Sequence, residues 1–420
     1  MGQTLTEKIL SRVVGRPVHP GETIYPEPDL ITVHDWYVVN FDKSLQELGI
    51  KKLYDPSKVL IATDHEPIAL NVLSAERQRN IRKIVAKYGI EHFYDNGRGG
   101  HGHIFPMELG YITPGMFVLA YDTHVTNYGA VGCLGIAMIT EITEVLGCGS
   151  VWIRVPETIR VNLTGKLKPG ITIRDISQKL TIDLEADLVD YCAVEFGGPA
   201  LKDIGVDGRM TLCNTPLEIG AKTAIVEPDE STLEWLKGRV KDPSKLSLMK
   251  SDPDAKYKKV IEYDLGIFEP QVAAPPRPDN VVGISTLKGI DVHHAYIGSC
   301  ANGSITDMRD TARILKGRKV NDNVRLIITP ATQEIAAQAA HEGLTEIFAE
   351  AGALLTAPGC GPCSGGRIGA MAPGEVSINT GTRNDPGRLG TTEGFIYLAS
   401  PMTVAASAIT GQITDPRQFL

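Results

Sequence analysis

Two runs of the same build constrain this chain more than any other feature. Lys58-Val-Leu-Ile-Ala-Thr63 is apolar almost throughout and ends at Asp64-His65, and Met116-Phe-Val-Leu-Ala-Tyr121 ends at Asp122-Thr123-His124. Strands that are apolar at successive positions, rather than at alternate ones, are buried on both faces, as in parallel sheets covered by helices. Leu30-Ile-Thr-Val33, ending at His34-Asp35, repeats the pattern, and Ala75 to Tyr88 has the polar-faced periodicity of a helix between two such strands. Apolar strand, polar end and helix in alternation predict an α/β fold with its chemistry at the carboxyl ends of the strands. By the same reading, Gly97-Arg-Gly-Gly-His-Gly-His-Ile-Phe105 is a flexible segment bearing two histidines, and an Ala/Gly-rich helix runs from Gly129 to about Leu146.

The pattern lapses and then returns. Val151 to Thr164 alternates like a half-buried strand, which places a boundary near 154. The stretch Leu212-Cys-Asn-Thr-Pro-Leu-Glu-Ile-Gly-Ala221 precedes another apolar strand, Thr223-Ala-Ile-Val226, and Lys237 to Lys259 is charged and reads as surface. Glu269 to Asn280 carries Pro270, Pro275, Pro276 and Pro278 and reads as a linker. From Val281 the α/β alternation resumes, with strands His294–Ile297 and Val324–Ile328 and helices Ile305–Lys316 and Gln333–His341. The chain thus divides into 1–153, 154–280 and 281–420, as a length of 420 residues leads one to expect.

Charge and cysteine content narrow the function. A net charge of −8 argues against non-specific nucleic-acid binding and leaves room for a locally basic anion site. Seven cysteines, an odd and sparse set, suit a reducing compartment rather than a disulfide framework, so a cytoplasmic location is expected. The first residues lack an apolar signal core, Thr4 to Leu10 reads as a capped helix, and no run approaches the roughly 18 apolar residues of a membrane span.

Three groups of residues carry chemistry. Cys360-Gly-Pro-Cys363 lies on a glycine-rich turn, and Cys300 follows the strand that ends in Ile297-Gly-Ser. Thiolates on such turns hold soft metals or iron–sulfur clusters, and three of them leave one coordination position open for substrate. A CxxC pair by itself also suits a redox motif or half a zinc site. Cys133, Cys148, Cys192 and Cys213 sit among apolar neighbours and read as small buried side chains. The second group, Asp64-His65 and Asp122-x-His124 with His103 and Glu218, sets imidazoles beside carboxylates, which raise an imidazole pKa and make it a general acid. The third, Arg383 and Arg388 on the loop after Glu375–Asn379, has the fork geometry that grips carboxylates.

Taken in order, Asp64-His65, His103, Asp122-x-His124, Cys213-Asn214 with Glu218, Cys300, Cys360-x-x-Cys363, Arg383, Arg388 and the tail Ile396-Tyr-Leu-Ala-Ser-Pro401 resemble the aconitase family over nearly the whole chain, above all its free-standing large subunits of the 3-isopropylmalate dehydratase and homoaconitase type. The resemblance implies an α/β, aconitase-like three-domain assembly around a 4Fe-4S cluster, with the swivelling fourth domain on a separate small subunit. It implies a hydro-lyase, acting on a hydroxy-di- or tricarboxylic acid. Cys300, Cys360 and Cys363 would hold three irons, and the fourth would act as a Lewis acid on the substrate hydroxyl. His65, supported by Asp64, would protonate the departing hydroxide. Asp122 with His103, and Glu218 with His124, would hold water and hydroxyl. Arg383, Arg388 and Thr123 would lie against substrate, and the general base would come from the small subunit.

Three positions and one segment depart from the family pattern. Thr123 stands for a serine, Ala301 for a threonine beside a cluster cysteine, and Thr382 for an asparagine that helps hold the cluster. The segment His34-Asp-Trp-Tyr-Val-Val39 is bulky where the family is small and polar, which implies a reshaped pocket near the substrate's variable group. The expected substrates are 3-isopropylmalate or homoaconitate, with another substituted malate such as 2,3-dimethylmalate as alternative. A cluster-bearing RNA-binding regulator is the alternative of another class, and the acidic charge weighs against it.

Overall fold

The computed structural model describes residues 2–246, 248–266 and 269–420. They form two compact units, each discontinuous in sequence: Met1–Thr164 with Asp187–Tyr263, and Gly165–Ala186 with Asp264–Leu420.

Five parallel strands form the heart of the first unit, in the order His92–Tyr94, Val59–Ala62, Leu30–His34, Phe117–Tyr121, Leu134–Ala137. The three central ones are buried at nearly every position, as continuous apolar runs require. The chain works outward from Leu30–His34 in one direction, then returns and continues in the other. The strand order therefore reverses between Leu30–His34 and Phe117–Tyr121, where such sheets open a crevice at their carboxyl ends. Helices Leu5–Val14, Asp35–Glu47 and Val72–Tyr88 cover the sheet and bury Leu5, Ile9, Phe41, Leu45, Ile81 and Val85. Thr4 and Glu7 cap the first helix reciprocally. The third starts before Ala75 because Asn71 caps it, accepting from the Ser74 amide.

Two expectations fail in this unit. In place of a long helix after Gly129 there is a 3-10 stretch Thr123–Val131, the strand Leu134–Ala137 and a helix Ile142–Cys148. The small residues there serve close backbone approach: a Cβ on Gly129 would stand 2.1 Å from the Ala224 carbonyl oxygen, and one on Gly135 2.4 Å from that of Val125. The Gly97–Phe105 segment is likewise no loose loop, since His101 and His103 are buried and Tyr128 donates to the Gly102 carbonyl at 2.5 Å.

A four-stranded sheet, in the order Thr223–Val226, Ala193–Gly197, Thr158–Thr164, Lys259–Asp264, has its first three strands parallel. Thr158–Thr164 alternates as its sequence predicts, while Ile153–Arg154 is a separate strand paired with Thr23–Ile24. The charged stretch Lys237–Lys259 runs over the surface, with residue 247 outside the described set. Even so, Ser251 and Tyr257 turn inward and donate to the fully buried Glu195, which also pairs with Arg160 at 2.6 Å.

The second unit is built on seven strands in the order Val281–Gly283, Gln271–Ala273, Phe395–Leu398, Val376–Asn379, His294–Ile297, Arg325–Ile328, Leu354–Leu355. The last five are parallel, and their order reverses between His294–Ile297 and Val376–Asn379. The proline-rich stretch is not a linker. Gln271–Ala273 pairs antiparallel with two strands, and its buried amide at Gln271 donates to Asp175 of the helix Ile173–Asp183. Val272 and Ala273 supply the apolar burial, and the prolines after them make the turn into Val281–Gly283. No helix among the described residues is long and apolar enough to cross a membrane.

Candidate functional site

Three strand ends meet at the crevice of the first unit. His34 closes Leu30–His34, Asp64 and His65 follow Val59–Ala62, and Asp122 follows Phe117–Tyr121. His65 Nδ1 lies 2.6 Å from Asp64 Oδ1. Asp64 uses its other oxygen to accept from the Gly102 amide at 2.8 Å, which draws the histidine-bearing segment against the strand end. Asp122 is the hub: His103 Nε2 stands 3.3 Å and His124 Nδ1 3.5 Å from Oδ1, His65 Nε2 3.5 Å and His34 Nε2 3.7 Å from Oδ2. Four imidazoles thus share one carboxylate.

Glu218 completes the group from far along the chain. Asn214 donates to Asn127 at 2.9 Å, and this pair brings the Glu218 carboxylate to 2.7 Å from His124 Nε2. All six acid–base residues named from sequence therefore converge, and the Thr123 hydroxyl joins them by donating to Asp122 at 3.4 Å.

Burial sets the charges. It would push the His65 imidazole down, but Asp64, then Asp122 and Asp35, outweigh it and hold His65 protonated well above its ordinary range. Burial likewise opposes ionisation of Asp122, and His103 with His124 and His65 more than compensates, keeping it a carboxylate. His34 and His101, without so close a counter-charge, are pushed down to about 3 by burial and stay neutral. Burial raises Asp35 to about 7. The site therefore holds one charged acid, His65, beside the neutral rings of His34 and His101 and the carboxylates of Asp64 and Asp122.

Sequence reasoning gave no role to three residues. His34 stacks on His65 with ring centroids 4.0 Å apart, and its Nδ1 accepts from the Trp36 amide, which leaves its proton on Nε2. Asp35 accepts from the amides of His65 and Glu66 at 3.2 and 3.0 Å, fixing the segment that carries the acid. His101 lies 3.6 Å from Asp64. The signal for His34 and Asp35 was present, since they close a central strand just as Asp64-His65 and Asp122 do. His34, Asp35, Asp64 and His65 gather ligand-type atoms within 4.8 Å of one another, yet each is already engaged in the hydrogen bonds above, as an acid–base network is. Trp36 covers His65 from another side at 4.7 Å, and Tyr37 stacks on Tyr121 at 3.8 Å.

The second unit gathers the cysteines. Cys300 lies in the short helical turn Ser299–Asn302 that follows His294–Ile297, and Ser299 takes a left-handed φ of 72° to make that turn. Cys360 and Cys363 bracket the 3-10 turn Gly361–Cys363. All three are free thiols, 3%, 6% and 4% exposed. Cys363 is the natural thiolate: the Cys360 thiol donates to it, Arg388 Nη2 stands 3.5 Å away, and the Thr382 amide points to it, which together hold its pKa well below the ordinary thiol range. Thr382 thus serves through its backbone, and its own buried hydroxyl has no hydrogen-bond partner. Gly381 admits the Asn379 side chain, since a Cβ there would stand 2.7 Å from Asn379 Oδ1, and it lies at contact distance from the Cys363 sulfur. Three buried free thiols, a guanidinium and an inward amide suit an iron–sulfur group, whose sulfurs are held by such donors. Arg383 is half-buried on the same loop. Of the remaining cysteines, Cys133, Cys192 and Cys213 are buried as expected, but Cys148 is exposed because it closes the short helix Ile142–Cys148 at the surface.

The chain is similar to known proteins over its whole length. The 3-isopropylmalate dehydratase large subunit 1 of Archaeoglobus fulgidus is 44% identical over 422 residues, covering 100% of both chains. That of Methanopyrus kandleri is 41% identical over 421 residues with the same coverage, and the large subunit of Heliobacterium modesticaldum is 40% identical over 420. The crystal structure of Thermococcus kodakaraensis aconitase X in its holo-form superposes with a TM-score of 0.50 over 86% of this chain and 84% of that one, at 12% identity, a likeness of fold alone. A family model described as the aconitase family (aconitate hydratase) matches residues 7–289 and 285–411, so that both the imidazole–carboxylate crevice and the cysteine turns fall within it, and the chain belongs to the aconitase family.

Proposed function

We propose that the chain is the large, catalytic subunit of an iron–sulfur hydro-lyase that removes water from a substituted malate of the 3-isopropylmalate type and re-adds it in the other orientation. The observation that carries this reading is His65: an imidazole held protonated by Asp64 at 2.6 Å, at the switch-point crevice of a parallel sheet. Hydroxide is a poor leaving group, and a charged acid placed to protonate it lowers that barrier. His124 and Glu218 hold the hydroxyl, and His103 with Asp122 orients the water that leaves and returns. Asp35 fixes the backbone of the acid segment, and the neutral His34 ring stacks on the imidazolium.

Cys300, Cys360 and Cys363 would hold a 4Fe-4S cluster, with Arg388 and the Thr382 amide toward Cys363. When bound, the cluster supplies a Lewis acid for the substrate hydroxyl and carboxylate. Arg383 and Arg388 are assigned to anionic groups of the substrate or the cluster side. The general base is assigned to a separate small subunit, in keeping with the names of the relatives. We place the enzyme in the cytoplasm. Segments 1–153, 154–280 and 281–420 are proposed as three modules, each supported by one of the larger sheets, with the helix Ile173–Asp183 and the strand Gln271–Ala273 as exceptions that belong with the last sheet. For the substrate side group, Trp36 against the His65 ring supports an apolar substituent, with another substituted malate such as 2,3-dimethylmalate as the alternative to 3-isopropylmalate.

The test is anaerobic co-purification with a small subunit of the same family, followed by an absorbance assay for the unsaturated acid across a panel of alkylmalates. Turnover of one or two of them, with iron and sulfide present, is the expected result. Iron and sulfide without turnover of any 2- or 3-hydroxy acid would overturn the hydro-lyase reading.

A further inference from the structure

Both cysteine turns meet the side chain of Tyr296. This residue is fully buried in the strand His294–Ile297, and its hydroxyl donates to the Cys360 carbonyl at 2.9 Å. The same oxygen occupies the space that two glycines leave open. A Cβ on Gly298, which begins the Cys300 turn, would stand 2.6 Å from it, and one on Gly361, between Cys360 and Cys363, would stand 2.9 Å from it. Thr329 closes the pocket, its carbonyl 2.8 Å from the Gly298 position and its hydroxyl 2.6 Å from the Gly361 position. The Tyr296 ring packs with Ile327, Cys360 and Cys363.

The remaining bonds at the two turns differ in kind. The Cys300 turn is tied to the neighbouring strand, since Gly298 donates to the Thr380 hydroxyl and Ser299 to the Thr380 carbonyl. The backbone bonds around Cys360–Cys363 are local: Ser364 returns to the Gly361 carbonyl through both its amide and its hydroxyl, and Gly366 donates to Pro362, while Arg388 and the Thr382 amide reach only the Cys363 sulfur. Tyr296 therefore anchors the backbone of this turn, at the Cys360 carbonyl, to the sheet that carries the other cysteine.

We infer that Tyr296 is a positioning residue that sets the separation of the two cysteine turns before iron or sulfide arrives, and so makes the thiol set a preformed cradle. The inference rests on the reading of the three cysteines as cluster ligands. A phenylalanine here would fill the same core but leave the Cys360 carbonyl without this donor, and the CxxC turn would shift relative to Cys300.

The experiment uses Tyr296→Phe in the two-subunit holoenzyme, purified anaerobically beside the wild type. It reads iron and acid-labile sulfide per chain, the iron–thiolate stretching bands in resonance Raman spectra, the rate at which the visible absorbance bleaches in air, and the thermal midpoint. The expected result is a variant that folds with a midpoint close to wild type, has shifted iron–thiolate bands, and bleaches about five-fold faster, the factor one net hydrogen bond supplies. Tyr296→Leu, which also removes the ring edge, is expected to bleach faster still. Unchanged bands and bleaching in Tyr296→Phe overturn the inference, and so does a lowered midpoint with both of these unchanged. A wild-type holoenzyme without iron and sulfide overturns the cluster reading itself, and the inference with it.

Discussion

Glu218 Oε1 lies 2.7 Å from His124 Nε2 although 94 residues of chain separate them. The pair is assembled by packing within the first unit, through Asn214 and Asn127, and it decides which nitrogen of His124 faces the carboxylate. Glu218→Gln keeps the shape and loses the charge. Steady-state kinetics of the co-purified enzyme should show kcat down by about a hundred-fold with KM little changed, the lower range for a positioned acid–base group. A variant within a factor of two of wild type would remove the pair from the chemistry.

The Asp64–His65 pair makes a prediction with a sign. His65 has its folded pKa raised above the ordinary 6.5, so the acid function proposed for it should be complete below that value and lost as pH rises through the folded one. The stability it contributes follows the same course. Asp64→Asn removes the largest raising influence. The alkaline limb of kcat against pH should move to lower pH, and a limb that stays in place would mean that another group is the acid.

Loss of iron should be selective among the cysteines. Serine at 300, 360 or 363 should abolish stoichiometric iron and sulfide binding, while Cys133→Ala and Cys213→Ala, in the apolar interior, should leave it intact. Metal analysis of the five variants checks this, and full iron content in Cys300→Ser would dissolve the proposed ligand set.

Trp36 lies against the His65 ring at 4.7 Å. Replacing it with threonine removes most of an apolar wall. The ratio of kcat/KM values for a large against a small alkylmalate should fall by about tenfold, as pocket contacts of this kind supply. An unchanged ratio would place the substrate's side group elsewhere.

Stability of the first unit should depend on Glu195. It is fully buried and joined to Arg160, Ser251, Tyr257 and the Leu5 amide. Glu195→Ala leaves those donors in the interior and should destabilise by roughly 3–5 kcal/mol, the cost of breaking a buried pair. Denaturant titration of the purified chain measures it.

Much of this was legible in sequence because the side chains that converge at the candidate sites sit where the hydrophobic pattern stops. Asp64-His65, Asp122 and Cys300 each follow a continuous apolar run, and such runs announce parallel strands whether or not their neighbours are known. His34 and Asp35 carried the same signal at the end of Leu30–His34. What failed shares one cause, the several uses of small residues. Gly129 and Gly135 look like a helix in sequence, yet they let one backbone approach another. The prolines near 275 look like a linker, yet they turn a buried hairpin. The bond from Gln271 to Asp175 spans 96 residues and leaves no local trace.

That bond also bears on how the molecule can be made. The chain leaves the first unit after Thr164, lays down the helix Ile173–Asp183, returns at Asp187, and departs again only after Tyr263. On the ribosome, the helix must therefore wait for nearly the whole four-stranded sheet to be synthesised before its partner strand Gln271–Ala273 emerges. No single cut in the gene separates the two units: a fragment ending near 263 carries an orphaned helix with exposed apolar residues, and one beginning there lacks a support of its own sheet. An exon boundary or a truncation placed between the two units would therefore cut through this weave rather than between its parts.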